Sequence, residues 1–141
     1  MPIPFKEEFL IFSGKHWNII LHKDQSFLGR CVVYLKTQET DDLMKLTKEE
    51  KNELWDEVMP KLSYALKKAF GADRINYAHL ANLKKHVHWH VAPRYEKTPK
   101  KEFAGEIFVD ERLGKNFFNV PPKILPTNTT QRIADEIKKY L

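Results

Sequence analysis

The segment His86-Val87-His88-Trp89-His90 places three of the chain's six histidines at alternate positions. In an extended strand, alternate side chains share a face. The three imidazoles then point one way, and Val87, Trp89 and Val91 the other. The apolar face belongs against a core, and the imidazole face lines a groove or cavity. Two kinds of chemistry use such a row. Alternating histidines ligate zinc or another divalent ion, usually with a further His or carboxylate. Asp24, Glu39 and His79 are the candidates, and none has a spacing that marks it. A neutral imidazole, with an ordinary pKa of about 6.5, is also a nucleophile and proton carrier near neutral pH. One histidine can attack phosphorus while a neighbour two residues away serves the leaving group or an oxyanion. Lys84, Lys85 and Arg94 flank the row and favour an anionic substrate. Both chemistries stay open at this point, beside the plainer reading of a half-exposed strand whose polar positions are histidine.

The elements that position this row are legible from periodicity. Trp17 to His22 and Cys31 to Leu35 read as strands of a hairpin, with Lys23 to Ser26 as a turn. The apolar run Phe9 to Phe12 reads as a first core strand. Thr47 stands three residues before Glu50, the capping-box spacing, and opens a long helix. Leu54, Trp55, Val58, Leu62, Ala65, Leu66 and Ala69 form its apolar stripe. Pro60 should kink or split it, and Gly71 stops it. Arg74 to Leu80 and His86 to Ala92 read as two more strands, the second ended or made an edge by Pro93. Ile107 to Val109 is a short strand candidate. Thr129 or Thr130 caps a last helix with Ile133, Ile137 and Leu141 on one face. The fold class is α+β: a mostly antiparallel sheet, one long helix packed on it, and a C-terminal helix.

Composition narrows the function classes. The 141 residues fit one domain over 1–141 and carry 42% hydrophobic and 30% charged residues, which excludes wholesale disorder. The single cysteine, Cys31, excludes an intramolecular disulfide and any multi-cysteine zinc site. No apolar run reaches membrane-spanning length, and Met1 to Glu8 lacks the basic start and apolar stretch of a signal peptide, so a cytoplasmic location is expected. Lys and Arg number 24 against 19 acids, a net charge of +5 that suits an anionic ligand without requiring one.

The row of histidines with apolar residues between them resembles the motif of the histidine triad (HIT) family. The continuation Pro93-Arg94-Tyr95 looks like the bacterial diadenosine polyphosphate hydrolase-like branch. Asp24 to Val33 is similar to that branch's hairpin, Leu46-Thr47-Lys48-Glu49-Glu50 to its helix start, and Asn76 to Asn82 to the strand before the triad. The resemblance covers roughly residues 16–95 and leaves the extension 96–141 without a role.

The resemblance implies a HIT-like fold, usually a homodimer, acting at the α-phosphate of a nucleotide conjugate such as a dinucleoside polyphosphate or nucleoside phosphoramidate. It implies His88 as nucleophile, forming a covalent nucleotidyl-histidine that water then hydrolyses. His90 serves the bridging or leaving oxygen and assists proton transfer, and His86 orients the site. Asn82 contacts phosphate, His22 falls at the ribose-contacting position, and Arg94 is expected to bind substrate. No cofactor is required for the covalent step, although a divalent metal can accompany a polyphosphate substrate. The sequence departs from the family at two places. Glu39 or a neighbour stands where many members have a fourth histidine. Ala81-Asn82-Leu83 stands where the larger family has Gly-Gln-Ser/Thr. The alternative is a metal-binding protein or metalloenzyme built on the same three imidazoles. Nucleic-acid binding is suggested only by the net charge and by Lys97, Lys100 and Lys101. No stacking motif or groove-reading helix supports it, and nucleic acid is not expected as a partner.

Overall fold

The structure is a computed structural model and describes residues 3–141. Met1 and Pro2, the start of the segment read above for a signal peptide, lie outside the described residues. Five strands form one antiparallel sheet: β1 (Leu10–Ser13), β2 (Trp17–Leu21), β3 (Cys31–Leu35), β4 (Arg74–Ala78) and β5 (His88–Arg94), in the order β1-β2-β3-β5-β4. A second sheet is the hairpin of β6 (Lys100–Phe103) and β7 (Glu106–Val109). The helices are α1 (Lys48–Glu53), α2 (Met59–Phe70) and α3 (Thr127–Lys138). Among the described residues, no helix is long and apolar enough to cross a membrane.

The two faces of the sheet separate as the alternation requires. Trp17, Ile19, Leu21, Cys31, Val33, Leu35 and Val91 belong to the main core, together with Leu62, Ala65 and Leu66 of α2 and Ile133 and Ile137 of α3. Each fully buried Leu or Ile contributes about 1.5–3 kcal/mol from apolar burial. The opposite face carries Ile20, Val32 and Tyr34, on which Ile3, Phe5 and Leu10 pack.

The capping box forms as its spacing predicts. The Glu50 amide donates to the Thr47 hydroxyl at 3.1 Å, and the Thr47 amide donates to Glu50 Oε1 at 2.8 Å. Glu53 then accepts from the amides of His16 and Trp17, joining this helix to the start of β2. Ahead of Pro60 the helix widens into a π turn over Leu54–Val58. In a regular α-helix Pro60 would donate to the Asp56 carbonyl, which it cannot do. The Met59 amide instead reaches back five residues to the Leu54 carbonyl. The widened turn also rotates Trp55 off the buried stripe. It is 50% exposed and meets Trp89 edge-on at 5.5 Å. At the β2–β3 turn, Gly29 holds φ +89°, and an added Cβ would lie 3.1 Å from both Leu66 and Phe70 of α2.

Several boundaries differ from the sequence reading. The strand with the triad begins at His88, two residues late, and runs through Pro93 to Arg94. The Arg94 carbonyl faces β4, accepting from Asp73, so Pro93 faces the other side, where β3 has already ended. Its missing N–H therefore breaks no ladder bond. The last helix begins at Thr127 after Pro126, and no side chain caps it, so neither Thr129 nor Thr130 has that role.

Arg94 anchors the segment after the sheet. Its Nε and Nη2 donate to the two carboxylate oxygens of Asp110 at 2.7 and 3.0 Å. Nη1 donates to Asn76 Oδ1 and the Lys115 carbonyl, and Nη2 also donates to the Arg112 carbonyl. Both charged side chains are almost fully buried. Removing one partner strands the other charge, so Asp110→Ala is expected to lower unfolding stability by about 3–5 kcal/mol in urea denaturation. The double variant Arg94→Met/Asp110→Ala should recover a large part of that loss. A double variant as unstable as the sum of the singles would mean the ion pair is not the cause.

Candidate functional site

A cavity of about 590 Å³ opens on the sheet face away from the helices. Its floor is Ile20, Val32, His88 and His90. The β3–β5 register places Tyr34 opposite His88 and Val32 opposite His90. The β2–β3 register extends these rows to Asn18 and Ile20. The loop Leu80–Lys84 forms one wall and Pro4–Phe9 another, while His22 and Arg30 stand at one end and Phe118 reaches in from the C-terminal segment. Ala81 and Phe9 sit in these walls with φ of +54° and +53°, a left-handed conformation that non-glycine residues adopt at a cost.

Alternation puts His88 and His90 in the cavity, but His86 lies behind it. Because the strand starts only at His88, the backbone at His86 follows a different path, and Val87 is tied to Thr40 and Leu35. The buried His86 ring turns its Nε2 to the Leu35 carbonyl at 2.6 Å. Its own carbonyl accepts from His88 Nδ1 at 2.7 Å. A carbonyl only accepts, so the His88 proton is on Nδ1 and the Nε2 lone pair is free. His86 thus acts on the site through its backbone oxygen.

His90 is held differently. Its ring centroid is 5.1 Å from that of His88, and its Nδ1 lies 3.4 Å from Arg30 Nη2. A guanidinium only donates, so Nδ1 is the acceptor here and the proton sits on Nε2. His22 is 5.9 Å from His90 between ring centroids, and its Nδ1 accepts from the Asp24 amide at 2.9 Å.

Burial is the main cause that holds all three cavity imidazoles below their ordinary pKa. His90 is lowered to about 3, first by desolvation and then by Arg30, His88, His22 and Lys84. His22 is lowered to about 4 by desolvation and then by Arg30. His88 is lowered by desolvation, which its hydrogen bond to the His86 carbonyl partly offsets. All three are neutral at pH 7.

The structure brings Asn82, His22, His88 and His90 to one cavity. It does not bring Arg94. The five N–H donors of that guanidinium are all engaged with Asp110, Asn76 and two carbonyls, so none is left for a substrate. The cavity's cations are instead Arg30, Lys84, whose Nζ lies 4.7 Å from the Phe5 ring centroid, Lys6, and Lys23, which pairs with Glu8. The residues missed from sequence are Arg30, Phe5 and Phe118. Phe5 stacks on Tyr34 at 5.0 Å and meets the His88 ring at 4.8 Å. A loop arginine and two aromatics outside any motif carry no spacing signal. Gln25 holds the loop that carries Arg30. It is a fully buried turn residue whose amide donates to the carbonyls of His22 and Arg30 and accepts from Gly29, fixing the loop that carries both. Among the described residues, no group of three or more His, Cys, Asp or Glu converges to hold a metal ion.

No family model and no curated protein sequence matches the chain. Solved structures match its fold. A histidine triad protein from Sinorhizobium meliloti 1021 aligns with a TM-score of 0.73 at 21% identity, over 94% of this chain and 89% of that one. A histidine triad protein from Marinobacter aquaeolei VT8 gives 0.74 at 17% identity, over 94% and 87%. The diadenosine triphosphate hydrolase of Plasmodium falciparum, solved with cyclomarin A, gives 0.66 at 15% identity, over 96% and 78%. The chain has the HIT-like fold that its sequence resemblance implied.

The depressed imidazoles make stability depend on pH. The unfolded chain takes up protons on these groups through about pH 6.5, whereas the folded chain resists until about pH 4 at His22 and about pH 3 at His90. Stability is therefore complete above about pH 7 and falls as pH drops from there toward 4. Thermal melts at pH 7.5 and 5.0 should show the loss, and His90→Gln should reduce it. An equal loss in the variant would mean His90 does not contribute.

Proposed function

We propose that this chain is a nucleotide hydrolase or nucleotidyl transferase of the HIT type, acting at the α-phosphate of a nucleotide conjugate. The observation that carries the reading is the state of His88. Its proton is fixed on Nδ1 by the His86 carbonyl, and its Nε2 lone pair is free on the floor of a cavity flanked by Lys84 and Arg30. A buried neutral imidazole oriented in this way is a nucleophile that needs no deprotonation. On attack at phosphorus the ring becomes cationic, and the Nδ1–H···O=C bond to His86 stabilises that charge. Asn82 and Lys84 contact the phosphate oxygens and His22 lies at the ribose. The likeness in fold to a diadenosine triphosphate hydrolase supports this class of substrate.

The covalent step uses no cofactor in this reading, and a divalent ion enters only as the companion of a polyphosphate substrate. A homodimer and a diadenosine polyphosphate hydrolase-like specificity belong to the same proposal.

Intact-mass spectrometry after incubation with nucleotide esters and phosphoramidates, quenched at alkaline pH to preserve phosphohistidine, tests the reading. Wild type should gain one nucleotidyl mass and His88→Ala none, with turnover falling on the order of 10⁴-fold or more. Equal turnover by a folded His88→Ala variant would sink it.

A further inference from the structure

Resting on that covalent reading, we infer that Arg30 is a positioning residue. It holds His90 as a neutral Nε2–H donor and so fits the site to conjugates whose leaving group departs as a phosphate oxyanion, not to those whose leaving group is an amine. The geometry carries this. Protonating His90 at Nδ1 would set an N–H against the N–H of Arg30 Nη2, 3.4 Å away. Arg30 is not free to withdraw. Its side chain is 12% exposed, its Nη1 faces Asp24 Oδ2 at 3.4 Å, and its guanidinium lies 5.4 Å over the Phe117 ring. Asp24 is itself fixed, accepting from the amides of Ser26 and Lys123.

The other titratable groups acting on His90 do not favour an imidazolium. They are His22 at the end of β2, His88 on the same strand and Lys84 from the loop wall. The carboxylates nearby are engaged elsewhere, Asp24 with Arg30 and Glu8 with Lys23 at 3.3 Å. Burial first, and then Arg30, keep the His90 ring neutral well below pH 7.

The chemical consequence concerns the leaving group. In the first step the His88 Nε2 lone pair forms a bond to the α-phosphorus, and the bond from phosphorus to the leaving atom breaks with its electron pair. A phosphate oxygen takes that pair as a weakly basic oxyanion and leaves without a proton. An amine nitrogen must be protonated as it leaves. A neutral His90 cannot supply that proton without becoming an imidazolate, so it stabilises a departing oxygen by hydrogen bonding only. In the second step water attacks phosphorus, Nε2 recovers its electron pair, and the water's proton passes to solvent. The class that fits is a nucleoside α-phosphoanhydride, whether the far side is a second nucleotide or a sugar phosphate.

The test compares dinucleoside tetraphosphates with nucleoside 5′-phosphoramidates, in adenine and uracil forms, on the full-length protein. Wild type should prefer the phosphoanhydride in kcat/KM by about 100-fold or more, the lower range of what a general acid supplies. Arg30→Met, checked for fold by thermal melting, should shrink that preference and shift the His90 ionisation upward in its kcat profile on the phosphoramidate, while burial still holds it below the ordinary histidine value. Equal or faster phosphoramidate turnover by wild type overturns the inference without need of any variant. An unchanged preference and pH profile in folded Arg30→Met overturns it as well. Absence of a His88 adduct with every substrate would instead remove the covalent reading beneath it, and intact mass tells the two failures apart.

Discussion

The register between β3 and β5 is the constraint on which the rest of the site depends. Tyr34 faces His88 and Val32 faces His90 across that pair. A slip of one residue would turn both imidazoles into the core and expose Trp89 and Val91 to the cavity. Such a slip is costly on both faces. Val91 and Val33 are fully buried among the helices, and desolvating two imidazoles there without partners would add a further penalty. The hydrophobic packing of α2 and α3 therefore does chemical service at a distance. It fixes which edge of each histidine looks into the cavity, and the hydrogen bonds to the His86 carbonyl and Arg30 then fix the tautomers.

Burial and charge act in the same direction on these imidazoles. Each is desolvated and each feels Lys84 before any substrate arrives, and His22 and His90 feel Arg30 as well. In the proposed reaction this matters because the site is electropositive yet holds His88 neutral, the combination that attack on an anionic phosphate requires. The positive charge resides in Lys and Arg, whose protons are not needed for chemistry. The imidazoles keep their lone pairs.

Much of this could be read from the residues. The alternation of His88, Trp89 and His90 gave the two faces of a strand, and Thr47 with Glu50 gave the helix start. Cys31 to Leu35 showed itself by its run of β-branched residues. Other features escaped because they depend on contacts between distant segments. Nothing local distinguishes Arg94, which closes on Asp110, from an arginine open to substrate. Arg30 sits in a turn, where periodicity has no say. His86 kept the right spacing, but the strand begins after it, and strand ends are set by which backbone groups find partners. Pro93 signalled a strand end that did not occur, because its ring faces the side where β3 has already stopped.

The C-terminal segment makes the cavity a late product of folding. Phe118 lines the cavity, and Phe117 packs beside Arg30 and His90. The Lys123 amide closes on Asp24 across 99 residues of chain. A nascent chain could pair β1 to β5 and set the two cavity histidines in register before this segment is made. Arg30 and its aspartate would then lack the cover of Phe117 and the Lys123 amide. Enclosure, and with it the low-dielectric setting in which the tautomers matter, waits on loop closure of large contact order. Assembly of the sheet and enclosure of the cavity are thus separate events, the second governed by the segment that carries Phe117, Phe118 and Lys123.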